Sequence, residues 1–257
     1  MKARGFTLIE LAIVLTVMAT LATAALAPLG VQREARQRRE TVAALDLAVE
    51  ALYGYALGHG RLPCPDALDD GDGREDRDGS SGCRVRDGWL PALELGVDGR
   101  DAWRRRLRYQ VTARTPGRTG GNFVIVDDGW CDAADGDLDL CERGDITIAA
   151  RGDDPATAAN ETKAAFTLAD GVPAAVWSHG ANGHGAPGAA SPPAGYDDEA
   201  ANADGDNRLV ARDYGGAVTA CSDGGAEHEP LCAFDDLVRW LSPTVLVNRL
   251  VVAGRLP

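Results

Sequence analysis

The sequence predicts an α+β protein, a long N-terminal helix followed by a strand-rich domain whose loops are stapled by disulfides. Three observations carry that expectation. From Phe6 to Ala27 the only ionisable side chain is Glu10, and beyond Pro28 an apolar stripe resumes at helical period. Strand-like runs bounded by Gly, Pro and Asp recur after residue 100. All six cysteines fall after the helical part.

The helix is expected in two halves. Residues 6–29 form an apolar stretch long enough, at about 1.5 Å per residue, to cross a hydrocarbon core of roughly 30 Å, and are expected to be transmembrane. A carboxylate inside such a span costs on the order of 2.5–3.5 kcal/mol, which makes Glu10 a functional-site candidate. Residues 30–58 are expected to be amphipathic: Val42, Leu45, Val49, Leu52 and Ala56 share one face, with Arg38, Arg39, Glu40, Asp46 and Glu50 mostly off it. Gly58 and Gly60 supply a stop, and Pro63 prevents continuation. A helix from Phe6 to about Leu57 would be ~75–80 Å long, with a kink expected at Pro28.

The stretch Lys2-Ala3-Arg4-Gly5-Phe6-Thr7-Leu8-Ile9-Glu10-Leu11 resembles the class III leader of type IV pilins and type II secretion pseudopilins. That resemblance implies a leader over residues 1–5, cleavage between Gly5 and Phe6 by a prepilin peptidase, and N-methylation of Phe6. It implies that Glu10 faces the N-terminal amine of a neighbouring subunit during assembly, and that the helix is followed by an antiparallel β-sheet domain. A buried carboxylate is tolerable when a cation pairs with it, which agrees with that role. A looser likeness, through Arg61-Leu62-Pro63-Cys64-Pro65, Gly88-Trp89-Leu90-Pro91, Trp177-Ser178-His179-Gly180-Ala181-Asn182-Gly183 and the tail from Ala253 to Pro257, is to proteobacterial pilin-like proteins of poorly defined role.

Other readings of the N-terminus compete. A secretory signal peptide shares the basic start and offers Ala25-x-Ala27, but its apolar core should be shorter and Pro28 would follow the cut. A plain anchor gives no reason for Glu10, although an acid near a helix end can reach toward the interface. Lys2 and Arg4 precede the span while Arg33, Arg36, Arg38 and Arg39 follow it, so charge counting leaves orientation open.

The cysteines decide the compartment. Cys64, Cys83, Cys131, Cys141, Cys221 and Cys232 read as disulfides in an oxidising space, here the periplasm, with the chain in the inner membrane through a single pass. Sequence leaves the connectivity open; sequential pairing (Cys64–Cys83, Cys131–Cys141, Cys221–Cys232) is the expectation, each closing a short loop worth roughly 2–4 kcal/mol. A zinc site on these cysteines is disfavoured, since no C-x-x-C occurs and no histidine has ligand-like spacing. The net charge of −13 repels phosphate backbones, and loss of Lys2 and Arg4 with a leader makes it more negative, so nucleic acid is not an expected partner.

After residue 58 the chain reads as a globular domain over 59–257. Residues 61–99 are expected to be loop. Strand-like runs are Trp103–Thr112, Asn122–Asp127, Asp145–Ala150, Val172–Ser178 and Arg208–Arg212, with Phe234–Leu241 a further strand or short turn. In the first, Trp103, Arg105, Leu107, Tyr109 and Val111 alternate against Arg104, Arg106, Arg108 and Gln110. Ser242 is an expected N-cap with Pro243 at N1, opening a helix to about Ala253 that Gly254 ends.

Three acidic clusters invite a structural calcium: Asp69, Asp70, Asp72, Glu75, Asp76 and Asp78; Asp132, Asp135, Asp137 and Asp139; and Asn202, Asp204, Asp206 and Asp213. The third matches positions 1, 3, 5 and 12 of an EF-hand loop but has Asn207 where that loop needs Gly. Major pseudopilins, which this chain resembles, carry a calcium-stabilised loop. The plain alternative is that Asp and Gly build solvated turns. His179 and His184 lie in the Gly-rich segment 178–188, expected to be a loop whose glycines allow unusual backbone angles. No G-x-S-x-G and no P-loop is present, so no enzymatic role is expected and no cofactor is required. The resulting expectation is a structural subunit, a minor pilin or pseudopilin in low copy, with other such subunits, the prepilin peptidase and an inner-membrane assembly platform as partners. A membrane-anchored periplasmic binding protein is the alternative.

Overall fold

The computed structural model describes residues 8–79, 82–113, 122–124, 143–152, 158–159, 161–216, 218 and 220–256, with the backbone alone over 22–29. Gly5, Phe6, Cys131, Cys141 and the cluster from Asp132 to Asp139 lie outside them.

Helix α1 (Leu8–His59) continues through Pro28 and ends two residues beyond the expected stop. Gly60, at φ 71°, closes it by donating its N–H to Ala56 O. Among the described residues no helix is long and apolar enough to cross a membrane. The apolar stretch with described side chains runs only from Leu8 to Leu21, about 21 Å of rise.

The second half of α1 is seated as its periodicity demands. Leu45, Ala48, Leu52 and Ala56 are fully buried, with Val42 and Val49 packed at the margin. They meet a four-stranded antiparallel sheet in the order β1 (Asp87–Trp89), β2 (Arg108–Val111), β5 (Ala174–Ser178), β7 (Leu237–Trp240). Helix α4 (Pro243–Val252) lies beside α1 and buries Leu246 and Leu250 in the same core. Polar contacts pin the rod: Arg239 to Asp46 at 2.8 Å, Arg249 to Glu50 at 2.8 Å, and the Tyr214 hydroxyl to Glu34 at 2.7 Å.

A second sheet, β4 (Ala165–Val172), β3 (Ile146–Arg151), β6 (Arg208–Val210), covers the other face of the first. Strand β5 therefore sits between two layers and is buried along its whole length. Ala174 and Val176 point to the helix core, while Ala175 and Trp177 join Ile146, Ile148, Val172, Leu209 and Val238 in the inter-sheet core.

Several expectations change. The sheet is divided in two, and β3 pairs with β6 in parallel, so the arrangement is not wholly antiparallel. The segment 61–99 contains β1 and the short helix α2 (Ala92–Leu95) as well as loop. The run 103–112 narrows to β2, because Arg100 bridges Arg106 and Arg104 adopts φ 72° ahead of it. The polar face of β2 is buried rather than solvated, since the second sheet lies over it. There Arg108 pairs with Asp87 and lies 5.5 Å from the Trp177 ring centroid, and Gln110 donates to Asp206 O at 2.7 Å. Residues 122–124 form a turn, and β7 begins only at Leu237. Strand β4 was not expected; it is an exposed edge with little burial to shape its composition. Helix α3 (Asp197–Ala201) was not expected either. Ser242 stands at the N-cap of α4 but makes no side-chain cap bond; its hydroxyl pairs with Thr244, and Tyr53 Oη accepts its N–H.

Disulfides Cys64–Cys83 and Cys221–Cys232 join the expected partners. The first encloses the Asp/Gly tract, which Glu75 organises from within. Arg61 donates to both Glu75 oxygens at 2.8 and 2.6 Å, Cys64 N–H at 3.1 Å, and Tyr55 Oη at 3.2 Å from the end of α1. Burial alone would raise the Glu75 carboxyl; the Arg61 and Cys64 hydrogen bonds and the Arg61 and Arg77 charges outweigh it and hold it below its usual range. Burial and the nearby Glu75 carboxylate push the Tyr55 phenol up to about 12.

A carboxyl depressed in the folded state stabilises above its unfolded pKa and loses that contribution as pH falls through the folded one. Glu75→Gln is expected to cost about 1.5–3 kcal/mol at neutral pH. The gap to wild type should shrink in urea melts as the pH drops below ~4.

Candidate functional site

Two regions concentrate functional chemistry. The first is the free end of α1. Leu8, Ile9, Leu11, Ile13, Val14, Leu15, Val17, Met18 and Leu21 are all exposed, Leu8 to 88 %. Thr16 and Thr20 fold their hydroxyls back onto carbonyls of the preceding turn, Ala12 and Ile13 for Thr16 and Val17 for Thr20, each at 2.9 Å. The rod thus presents hydrocarbon on all sides, with Glu10 exposed in the first turn of its described part. A bare apolar surface of this extent needs a lipid or protein covering.

The second region is a polar centre beneath the Gly-rich loop that follows β5. As expected, glycines there take left-handed angles: Gly180 at φ 54°, Gly183 at 67°, Gly185 at 77° and Gly188 at 82°. At Gly180 the reason is a close approach, since a Cβ would fall 2.5 Å from Asp235 Cγ and closer still to Asp235 O. The loop is clamped from below: Arg105 donates to Gly180 O and, at 3.0 Å, to Ala181 O, while Ser178 Oγ donates to Asp101 at 2.7 Å.

Under this loop the chain brings together His179, Glu199 from α3, and Asp235 and Asp236 just ahead of β7. All four are buried. One oxygen from each of the three carboxylates lies within 4.8 Å of the other two. Asn182 holds two of these groups, its amide donating to Glu199 Oε1 at 2.8 Å and its backbone N–H to Asp235 Oδ2 at 2.8 Å. His184 Nδ1 lies 3.1 Å from Glu199 Oε2, and Asn202 donates to Asp236 Oδ2 at 2.8 Å. Burial, with the Glu199 charge adding to it, pushes the Asp235 carboxyl up to about 6. Burial likewise raises Asp236 and Glu199. Beside this centre Asp198, the neighbour of Glu199, is locked by Arg151 at 2.9 Å and Arg212 at 2.8 Å.

The residues expected to hold calcium are placed otherwise. Asn202 is buried, its amide donating to Val210 O and Asp236 while its oxygen accepts the Val210 N–H. Asp204 and Asp206 form successive turns by accepting N–H bonds from Asp206 and Arg208. Asp213 lines a separate groove of about 660 Å³ with Tyr214, Leu168 and Trp240. The cluster 69–78 is spent on turns and ion pairs: Asp69 with Arg84, Asp72 with the Arg74 N–H, Asp76 with the Ala67 N–H, and Glu75 as above.

Glu199, Asp235 and Asp236 were not singled out in the sequence. Their one local signal is an acidic pair wedged between Phe234 and Leu237, where an apolar strand is starting.

Residues 1–26 match the prokaryotic N-terminal methylation motif, the class III leader of type IV pilins and pseudopilins. The match covers the start of α1 and ends before the head begins. No curated protein and no solved structure matches the chain.

Gly180→Ala is expected to destabilise the head by at least ~2 kcal/mol, from left-handed strain plus the clash with Asp235. Chemical denaturation of the two proteins measures it.

Proposed function

We propose that this chain is a low-copy structural subunit, a minor pilin or pseudopilin, of a type II secretion or type IV pilus filament, held in the inner membrane before assembly. A prepilin peptidase cleaves between Gly5 and Phe6, and Phe6 is N-methylated. A continuous helix over residues 6–27 would rise about 33 Å, the depth of a hydrocarbon core. The globular head then lies in the periplasm or on the filament surface, where its disulfides persist.

The observation that carries this reading is the exposed apolar rod within the methylation motif, with Glu10 as its only ionisable side chain before Pro28. In lipid or in a filament core, an acid is tolerated when a neighbour's N-terminal amine meets it. That pairing also sets register, because the amine and the carboxylate sit at fixed positions on every copy. The head, with two sheets and three helices beyond α1, is larger than a compact repeating subunit needs, which favours low copy number.

Two measurements test this reading. Mass spectrometry of chain recovered from a host with the processing enzyme should find a mature N-terminus at methyl-Phe6; an intact Met1 or a start at Pro28 would remove the basis for assembly. Glu10→Ala or Glu10→Leu should leave membrane insertion and processing unchanged while lowering incorporation into filaments by about tenfold or more, the effect of ~1.4 kcal/mol lost at a junction. Normal incorporation would refute the pairing role.

A further inference from the structure

We propose that His179, Glu199, Asp235 and Asp236 form a binding site for a first-row divalent metal ion of the zinc type, which staples the head together. The site is independent of filament assembly and of the calcium loop considered for residues 202–213.

The acidic residues alone would not carry this. The deciding observation is His179, buried to 2 % exposure, with neither ring nitrogen hydrogen-bonded. Its Nδ1 lies 3.7 Å from Asp236 Oδ2, too far for a hydrogen bond, so the imidazole faces the Asp236 carboxylate without being satisfied by it. A buried polar ring with both nitrogens idle is costly unless something absent from the protein's own hydrogen bonds completes it.

The carboxylates repeat the pattern. Asp235 Oδ2 accepts the Asn182 N–H while Asp235 Oδ1 is buried and unpartnered; Asp236 Oδ2 accepts from Asn202 while Asp236 Oδ1 is buried and unpartnered. Each aspartate thus has one oxygen held by an amide and the other buried without a donor. Metal ligands are oriented in this way, with partners behind them fixing the donor atom. Glu199 is oriented from behind by Asn182 and His184 and retains lone pairs on both oxygens.

Charge points the same way. Three carboxylates with oxygens within 4.8 Å of one another in a dry interior repel strongly, and no arginine or lysine is hydrogen-bonded to any of them in the described structure. A dication offsets that repulsion. Tetrahedral ligands at about 2.0–2.2 Å from zinc stand about 3.4 Å apart, so closure needs small side-chain shifts. The donor set, an imidazole with three carboxylates at a buried centre, suits zinc or manganese. Calcium takes six to eight oxygens and would find an imidazole and too few carbonyls here. The ligands come from the loop after β5, from α3 and from the approach to β7, so one ion ties together three segments distant in sequence.

The test uses the tag-free full chain in detergent, stripped with chelator and then dialysed against zinc or calcium. Elemental analysis should find one zinc per chain. Zinc at a hundredfold over its Kd should raise Tm by about 5–10 °C, while calcium at the same concentration shifts it by less than ~1 °C. Glu199→Gln and Asp235→Asn should each abolish stoichiometric zinc. Wild-type chain that retains no zinc, a response to calcium instead, or variants that bind zinc like wild type would each overturn the proposal. Should the variants fail to fold, cobalt(II) added to wild-type chain decides. Intense d–d absorption of a four- or five-coordinate site without sulfur charge-transfer bands supports the site, and the weak spectrum of hydrated cobalt overturns it.

Discussion

The structure depends on how one helix is covered. An apolar stripe along the second half of α1 is buried under β5, β7 and α4, while residues 8–21 present apolar side chains on every side that nothing among the described residues buries. The head is therefore a cap for half a helix, and the uncovered half must find its surroundings elsewhere. Hydrophobic burial is non-directional, so the division is made by the arrangement of charge: Asp46 and Glu50 find arginines of the head, whereas before Pro28 the rod carries only Glu10.

Within the head, charge substitutes for bulk. Few aromatics are available, and the chain is rich in Gly and Asp. Long loops are held by arginines reaching into them: Arg61 on Glu75, Arg86 on Asp145 at 2.7 Å, Arg105 on the loop carbonyls, and Arg212 on Asp198 and Asp223. Each guanidinium adds a charge-assisted bond to an oxygen of the loop it reaches. Disulfides then reduce the freedom that such loops would regain on unfolding. The polar centre under the Gly-rich loop differs from these, since its carboxylates are held by amides and the His184 imidazole and not by arginine or lysine.

Much of the helical part could be read before folding. Val42 to Ala56 sit where their spacing puts them, and Gly60 ends α1 because a left-handed residue is needed there. The apolar register of β2 was also legible in Leu107, Tyr109 and Val111. Its polar face was not: Arg108 and Gln110 look like solvent-facing residues until a second sheet covers them, and no local pattern announces that sheet. Strand β4 escaped for the opposite reason, because an exposed edge does not constrain its side chains enough to leave a period. The EF-hand-like spacing from Asn202 to Asp213 was misleading in a physical sense. Asn202 turned inward, and its amide satisfies the Val210 backbone and Asp236.

Sequence by itself determined the rod, its leader motif and Glu10, because each is set by period or by a single residue in an apolar run, while the structure chose the pairing of Cys64 with Cys83 and Cys221 with Cys232 from the connectivities the sequence allowed. Only the tertiary structure decided that His179, Glu199, Asp235 and Asp236 would meet. Those residues belong to three segments far apart in the chain, and their meeting follows from β5 lying beside β7 with α3 tied to the loop after β5 through Asn182 and Glu199. Proximity of that kind is a property of strand order, which side-chain pattern along one segment does not encode.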